Sequence, residues 1–204
     1  LLITGGAGYI GSHVTNQLGI AGHEIVVVDN LSTGFESAVL HGHLLVGDLS
    51  DDIFMNNVFK KNSFDAVLHF AASIVVPESV KKPLDYYANN TKNTLSLLQN
   101  IHKYGVNKIV FSSTAAVYGE TGPTLVDETS PIQPINPYGW SKAMSERMVQ
   151  DLCTSSNLRS VILRYFNVAG ANPECKIGQS SPSATHLIKL ACQTAVGLRD
   201  SLSV

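Results

Sequence analysis

The chain opens on an apolar run that leads directly into closely spaced glycines. Residues 1–4 predict a buried strand, Gly5, Gly8 and Gly11 follow it, and residues 10–21 carry a helical pattern. Glycine allows a tight turn and lets the backbone approach a ligand without an intervening Cβ, and the first N–H groups of a helix attract an anion. The segment therefore predicts a phosphate-binding turn, although a simple tight turn would also use glycines.

An acidic residue follows the second apolar run, at a position that favours one cofactor. Asp29 comes directly after the predicted strand 24–28. A carboxylate there accepts hydrogen bonds from both hydroxyls of an adenosine ribose and would repel a 2′-phosphate. The pattern therefore predicts NAD as the cofactor rather than NADP.

Six apolar runs recur along the chain with helical patterns between them, which predicts an α/β protein with a doubly wound parallel sheet of the Rossmann type. The runs cover residues 1–4, 24–28, 43–46, 66–70, 108–112 and 160–165. Ligand groups would then meet at the carboxyl ends of the strands. We expect an NAD-binding domain over residues 1–166 and the beginning of a smaller substrate-binding domain over residues 167–204.

The composition argues against several classes of partner and site. Of 204 residues, 15% are charged and the formal net charge is −2, so neither a nucleic acid nor an anionic membrane is an expected partner. No apolar run approaches the ~20 residues that span a bilayer, and three widely spaced cysteines suggest neither a disulfide framework nor a metal site. We therefore expect a cytoplasmic protein without a metal. Because the chain lacks an initiating Met and stops where a strand pattern begins, we also expect a fragment of a longer protein.

Polar or small residues also follow the third and fourth runs. Asp48 could accept a hydrogen bond from an adenine amino group while Leu49 covers the ring, or Asp48 could cap the helix that begins after Ser50. Residues 70–72 would let the backbone pass close to a cofactor, or would simply allow a helix to pack on the sheet. Both interpretations remain open for each segment.

A long helical pattern over residues 83–104 contains three asparagines, at positions 89, 90 and 93. Asparagine is unfavourable inside a helix because its side chain competes for backbone hydrogen bonds. A surface position is the default expectation for such residues, and a buried amide that bonds to neighbouring loops is the alternative.

A tyrosine and a lysine four residues apart follow a helix start signal. Pro137 follows Asn136 and a helical pattern continues to about residue 153, so Tyr138 and Lys142 share one face. A phenol is a poor base at neutral pH, but a nearby ammonium, together with a positive nicotinamide, lowers its pKa. We therefore predict Tyr138 as the catalytic base and Lys142 as the residue that tunes it.

The fifth apolar run ends in Ser112, Ser113 and Thr114. A hydroxyl at this carboxyl end can bind the reacting oxygen of a substrate and relay its proton to Tyr138, which makes Thr114 the third predicted catalytic residue. The alternative is that these hydroxyls satisfy backbone groups at the strand end, and it fits Ser112 and Ser113 better than Thr114.

Taken together, these motifs resemble the extended short-chain dehydrogenase/reductase family, and within it the nucleotide-sugar epimerases. The resemblance covers nearly all of the chain. It rests on residues 5–13 (GGAGYIGSH), 29–34 (DNLSTG), 47–49 (GDL), 69–72 (HFAA), 112–114 (SST), 117–119 (VYG), 136–142 (NPYGWSK) and 163–167 (LRYFN).

The resemblance implies that NAD stays bound and is returned unchanged at each turnover, and that the substrate is a UDP-sugar. Tyr138 would take the proton of the sugar 4-hydroxyl, directly or through Thr114, as a transient 4-keto sugar forms. The product would be the C4 epimer, UDP-galactose from UDP-glucose or the reverse. Relatives commonly pair through helices, and residues 83–104 and 138–153 are the candidates for a homodimer contact.

The resemblance also implies which side chains line the site. Besides the three glycines, the implied cofactor-binding residues are Tyr9, Ile10, Asp29, Asn30, Leu31, Ser32, Thr33, Gly34, Asp48, Leu49, Phe70, Ala71, Ala72, Asn89, Lys142 and Phe166. The implied substrate-binding residues are Thr114, Tyr138, Asn167, His186 and Leu187.

The chain departs from the family pattern at several positions. Ile74 stands where some epimerases have a lysine near the NAD phosphates, and His186 stands where many have an asparagine in contact with uridine diphosphate. Related dehydratases follow the threonine with an Asp-Glu pair that eliminates water, whereas Ala115 and Ala116 follow Thr114, which favours an epimerase. A uronic-sugar epimerase or decarboxylase and a non-catalytic NAD-binding fragment remain alternatives.

Overall fold

The computed structural model describes residues 1–123, 125–181 and 186–202. Its strands are β1 (Leu2–Thr4), β2 (Val26–Asp29), β3 (His43–Val46), β4 (Val67–His69), β5 (Lys108–Ser112) and β6 (Arg159–Leu163). Its helices are α1 (Tyr9–Ile20), α2 (Asp52–Lys61), α3 (Val76–Lys81), α4 (Pro83–Tyr86), α5 (Asn93–Lys103), α6 (Pro137–Ser155) and α7 (Leu187–Ala195). Short 3-10 turns lie at Glu36–Ala38 and Ala115–Tyr118.

The six strands form one parallel sheet in the order β3-β2-β1-β4-β5-β6. The predicted doubly wound parallel sheet is therefore confirmed. The chain order reverses between β1 and β4, and in such sheets ligands bind in the crevice outside the carboxyl ends of the strands at this reversal. No helix in the described part of the chain is both long and apolar enough to cross a membrane.

Several strand boundaries differ from the sequence prediction by one or two residues. β2 runs from Val26 and includes Asp29, whereas the apolar run predicted a strand over 24–28. β6 ends at Leu163, where the chain leaves the sheet, whereas the apolar run predicted a strand up to residue 165. The backbone N–H of Ala115 instead reaches the carbonyl of Tyr165, at 3.0 Å.

Alternate residues of the strands fill two cores on opposite faces of the sheet. Leu2 and Val28 belong to the larger core, while their neighbours Ile3 and Val27 belong to the smaller one. Burial of both faces explains why the strands appear in the sequence as continuous apolar runs. The larger core takes its helical side chains mainly from α2 and α5, and the smaller core packs against α1.

The segment predicted as one helix over residues 83–104 is interrupted. Between α4 and α5 the chain forms a π-helical stretch, Tyr87–Lys92. Asn90 lies in this stretch and is buried, so the surface position expected for it is wrong. Its side-chain oxygen accepts from the N–H of Ser73 at 2.8 Å, and its amide group donates to the Ser73 carbonyl and to Ser141 Oγ. The amide thereby ties the loop after β4 to α6.

A buried histidine connects β1, β4 and α5 beneath the carboxyl edge of the sheet. The Nδ1 atom of His69 lies 2.6 Å from Thr4 Oγ1, and its Nε2 lies 3.0 Å from Thr94 Oγ1. Because Thr94 donates its own proton to the Asn90 carbonyl, Nε2–H donates to Thr94 and Thr4 donates to Nδ1. Burial, with repulsion from Lys142, lowers the pKa of His69 to about 3, so the ring is neutral.

We expect His69 to make the folded state less stable as the pH falls. Unfolded His69 takes up a proton near its ordinary pKa of 6.5, whereas folded His69 resists protonation down to about 3. Stability from this group is complete above pH 6.5 and declines as the pH falls below it. A His69→Gln variant should show a shallower fall in the free energy of unfolding, measured by urea titration at a series of pH values.

The matched control is His102→Gln, which removes an exposed histidine from α5. It should keep the pH slope of the unmodified protein. Parallel slopes for the unmodified protein and His69→Gln would contradict the assignment of a neutral, buried ring.

Candidate active site

The glycine turn between β1 and α1 contains four glycines, and packing leaves no room for a Cβ at Gly5, Gly6 or Gly11. Gly5 has φ = 72°, and a Cβ there would lie 2.5 Å from the backbone nitrogen of Ala71. A Cβ on Gly11 would overlap the carbonyl oxygen of Gly5. Around Gly8, by contrast, the nearest atom to such a Cβ is the Gly5 oxygen at 3.3 Å. Gly8 is less tightly enclosed than the other glycines of the turn and lines a cavity at the start of α1.

The amino end of α1 is available to an anion. Gly8 occupies the cap position, and among the described residues no side chain caps the helix. The first N–H groups of such a helix have no partner within it and carry the positive end of its dipole. The tight-turn interpretation accounts for Gly5 and Gly11, and the phosphate-binding interpretation accounts for Gly8.

Asp29 fastens the loop after β2 to the glycine turn. One carboxylate oxygen accepts from the N–H of Ala7 at 3.0 Å, and the other accepts from the N–H of Leu31 at 2.9 Å. Gly34 packs so closely on the same turn that a Cβ there would lie 2.7 Å from the carbonyl carbon of Ala7. Each carboxylate oxygen keeps a second lone pair, so Asp29 can still accept hydrogen bonds from a ribose.

Asp48 does not cap the helix that follows it, so that alternative is wrong. The cap of α2 is Asp51, whose carboxylate accepts from the N–H of Phe54 at 2.9 Å. Asp48 instead accepts from the Asn30 amide at 2.6 Å and from the N–H of Ser50 at 2.8 Å, which lowers the pKa of Asp48. Leu49 is only 8% exposed and packs in the larger core, so little of its surface is left to cover an adenine ring.

Residues 70–72 pass directly behind the glycine turn. Phe70 packs against the smaller core and Ala71 against the larger one. The backbone of Ala71 fills the space that a Cβ on Gly5 would need. Packing therefore accounts for the small residue at position 71, and a cofactor contact there stays a prediction.

A cavity of about 230 Å³ lies beside the glycine turn. Three segments of the chain form it, and its lining residues are Ala7, Gly8, Tyr9, Ser12, Thr33, Phe35, Ser37, Ala38, Lys176, Ile177, Gly178, Ser180 and Ser181. The Tyr9 hydroxyl donates to the Gly170 carbonyl at 2.6 Å, which joins α1 to the segment after β6.

Four further predicted binding residues lie after the end of β6. Phe166, Asn167 and Leu187 are exposed. His186 is half-buried, with Nδ1 3.3 Å from the side-chain nitrogen of Gln179. Their contacts with a cofactor or a substrate stay predictions.

The three predicted catalytic side chains meet at the carboxyl end of β5. The side chain of Asn136 accepts from the N–H of Gly139 and caps α6, which places Tyr138 in the first turn and Lys142 in the next. Lys142 is 3% exposed, and its Nζ donates to the Ser112 carbonyl at 2.9 Å. Thr114 lies two residues beyond the end of β5, beside Tyr138, whose pKa it lowers.

Comparison with known proteins identifies the family of the chain. Residues 1–199 match the model of the NAD dependent epimerase/dehydratase family. The chain belongs to this family.

Several similar proteins are described as UDP-glucose 4-epimerases. The chain is 53% identical to one from Azospirillum brasilense over 205 residues, which cover 100% of this chain and 59% of the relative. A crystal structure of the Brucella ovis enzyme in complex with NAD is 42% identical and covers 100% of this chain and 62% of that one, with a TM-score of 0.95. A Bifidobacterium longum structure in complex with NAD+ and UDP is 35% identical and covers 98% of this chain and 63% of that one, with a TM-score of 0.92. The chain thus spans about 59% of the length of its Azospirillum relative.

In this member of the NAD dependent epimerase/dehydratase family, burial outweighs the expected effect of Lys142 on Tyr138. Burial raises the pKa of Tyr138, the hydrogen bond from Thr114 acts in the opposite direction, and the nearby Tyr165 raises it further. Burial also lowers the pKa of Lys142 to about 8, against the attraction of Glu146. In the protein alone, loss of hydration therefore dominates the pKa of both groups, and the expectation that Lys142 and a positive nicotinamide together lower the pKa of Tyr138 stays a prediction.

Ser112 and Ser113 do not serve the strand-end backbone, so the alternative given for them is wrong. The Ser112 hydroxyl bonds to the hydroxyl of Tyr165, and the Ser113 hydroxyl donates to the carboxylate of Glu146. Glu146 was not singled out from the sequence. The available signal was its position one turn beyond Lys142 on the same face of α6.

Proposed function

We propose that the complete protein is a UDP-glucose 4-epimerase, which interconverts UDP-glucose and UDP-galactose through a transient 4-keto sugar. The observation that carries the proposal is the convergence of Tyr138, Lys142 and Thr114 at the carboxyl edge of the sheet that also bears the glycine turn. Relatives described as UDP-glucose 4-epimerases support it, since they match the whole length of this chain.

The residues of the glycine turn fit NAD as a resident cofactor. The uncapped start of α1 and the cavity at Gly8 suit the pyrophosphate, and Asp29 suits the adenosine ribose and disfavours a 2′-phosphate. Asp48, already bonded to Asn30, would accept a hydrogen bond from the adenine amino group. When bound, NAD supplies the acceptor and donor of the hydrogen at C4 of the sugar.

The chain itself supplies the proton chemistry. Tyr138 takes the proton of the sugar 4-hydroxyl, directly or through Thr114, and later returns it to the epimer. Since burial raises the pKa of Tyr138, the phenolate depends on positive charge, which Lys142 and a nicotinamide ring would provide. Lys142 would also hold the nicotinamide ribose.

The residues after Thr114 argue against a dehydratase. Ala115 and Ala116 begin a 3-10 turn, and the N–H of Ala116 donates to Thr114 Oγ1 at 3.1 Å. Elimination of water needs acidic groups at these positions, and neither alanine supplies one. A purely binding module would have no use for a buried lysine beside a tyrosine, since burial of a charge is costly.

The complete protein should convert UDP-galactose to UDP-glucose without added NAD, while protein-bound NAD is measured after denaturation. Bound NAD without any epimer would contradict the proposed reaction.

Tyr138→Phe should retain NAD and lose about 10²–10⁴-fold in kcat, because it removes the base but little else. Tyr104→Phe is the matched control, since the Tyr104 hydroxyl bonds to Asn56 on α2, and its rate should be unchanged.

We infer that two copies of the protein pair through α4, α5 and α6. Large apolar side chains are exposed on these helices, among them Leu84 at 78% exposed, and also Leu95, Trp140 and Met144. Contiguous exposed apolar surface is typical of association sites.

A cytoplasmic location stays a prediction from the sequence.

Sedimentation velocity of the complete protein tests the pairing. The unmodified protein should sediment as a dimer, and a Leu95→Arg/Met144→Arg variant as a monomer, because two buried cations cannot be paired in the interface. Ile53→Arg, at an exposed apolar position on α2, is the control and should remain dimeric. A monomeric unmodified protein or a dimeric double variant would contradict the inference.

A further inference from the structure

Glu146 is a carboxylate in the interior of the protein, where a charge is costly unless it is fully bonded. Its side chain is 1% exposed. Arg164 Nε donates to its two oxygens at 3.0 and 3.1 Å, and Arg164 Nη2 donates at 2.7 Å. The Ser113 hydroxyl donates to the same carboxylate, and Arg164 is held in turn by the Tyr118 hydroxyl at 3.0 Å.

This network could be replaced by apolar side chains without loss of stability. Buried ion pairs are on balance close to neutral for folding, and well-packed apolar substitutes are frequently more stable. Stability of the fold alone therefore gives little reason for a charge at Glu146. Its position relative to the catalytic residues offers another reason.

Glu146 and Lys142 occupy successive turns of α6 and are bonded to successive residues at the end of β5. Lys142 Nζ donates to the carbonyl of Ser112, while Ser113 donates to Glu146. The next residue is Thr114, which lies beside Tyr138 and lowers its pKa. Two turns of α6 are thus bonded to the two residues that directly precede Thr114.

The electrostatic surroundings of Lys142 give the carboxylate a specific role. The groups that face Lys142 are His69 on β4, which is neutral, the Phe111 ring on β5 at 5.1 Å, Ser112, Glu146 on α6, and beyond them Arg164, Tyr165 and Tyr138. Among these described groups only Glu146 carries a negative charge. Burial lowers the pKa of Lys142, and Glu146 is the group that raises it.

We propose that Glu146 is a positioning residue for the reaction: its carboxylate, held by Arg164 and Ser113, keeps Lys142 charged and keeps α6 in register with the end of β5. The inference rests on the proposed function. Glu146 acts through Lys142 and Ser113, and so it affects the base without contacting the substrate.

Two substitutions separate the charge of Glu146 from its shape. Glu146→Gln keeps the shape without the charge, so Lys142 should lose its proton more easily, and the alkaline limb of the kcat/KM profile should move to lower pH by about one unit. Glu146→Asp keeps the charge and should leave the limb in place, although its shorter side chain lowers thermal stability. Asp151→Asn, which removes the exposed partner of Arg147 on the same helix, is the control for both measurements.

A profile of Glu146→Gln that coincides with that of the unmodified protein would overturn the proposal, as would equal shifts for Gln and Asp. If the single variant does not fold, Glu146→Gln/Arg164→Gln replaces it, because this pair leaves no unpaired buried charge. A smaller downward shift is then expected, because loss of the more distant Arg164 charge acts in the opposite direction.

A spectroscopic measurement tests the role of Glu146 separately from the proposed reaction. The phenolate absorbance of NAD-loaded protein, taken as the difference from the corresponding Tyr138→Phe variant, reports ionisation of Tyr138 without any turnover. Glu146→Gln should raise the pH at which this signal appears, and an unchanged signal would overturn the proposal. Absence of turnover in the unmodified protein would instead refute only the proposed reaction.

Discussion

Burial of the Lys142 ammonium is the interaction on which the arrangement of the site depends. A charge that loses its hydration shell must be compensated by the protein. The compensation comes from the Ser112 carbonyl, the Phe111 ring and the carboxylate of Glu146. Each partner belongs to β5 or α6, so solvating the ammonium also fixes the helix against the strand. The contact also holds Tyr138, one turn before Lys142 on α6, near the end of β5.

The glycine turn depends on a different constraint, the steric exclusion of side chains. Gly5 and Gly11 are required because backbone atoms of the turn and of Ala71 occupy the space that a Cβ would need. Gly8 and the start of α1 line the cavity beside this closely packed turn. Asp29 then holds the neighbouring loop through the N–H groups of Ala7 and Leu31. The glycine turn is therefore built by backbone packing, and the predicted preference for NAD depends on a single carboxylate.

The sequence predicts the fold and the catalytic trio because both are encoded locally. Apolar runs that alternate with helical patterns specify the parallel sheet, and the spacing of Tyr138 and Lys142 places them on one helical face whatever their surroundings. Local patterns do not predict the strand boundaries or the π-helical stretch at Tyr87–Lys92, because both depend on contacts with residues distant in the sequence. Asn90 is buried only because Ser73 and Ser141 are present to bond it.

The electrostatics could not be predicted from the sequence for the same reason. Spacing alone suggested that Lys142 lowers the pKa of Tyr138, but the sign for the protein alone depends on how deeply both groups are buried. Ser113 and Glu146 are separated by a loop and several turns of α6, and no local pattern indicates their hydrogen bond. Asp48 is an example of a local pattern that predicted a wrong contact. The pattern suggested that Asp48 caps α2, but Asp51, which directly precedes the helix, is the capping residue.

The central claim is that the hydrogen removed from C4 of the sugar is stored in the protein and returned to the same carbon. It is tested most directly by supplying the complete protein with UDP-glucose that carries deuterium at C4, in ordinary water. The account predicts that the UDP-galactose formed retains its deuterium at C4, as measured by mass spectrometry and proton NMR. Product that carries solvent hydrogen at C4 would contradict it, because the reaction would then proceed by loss of a proton from carbon.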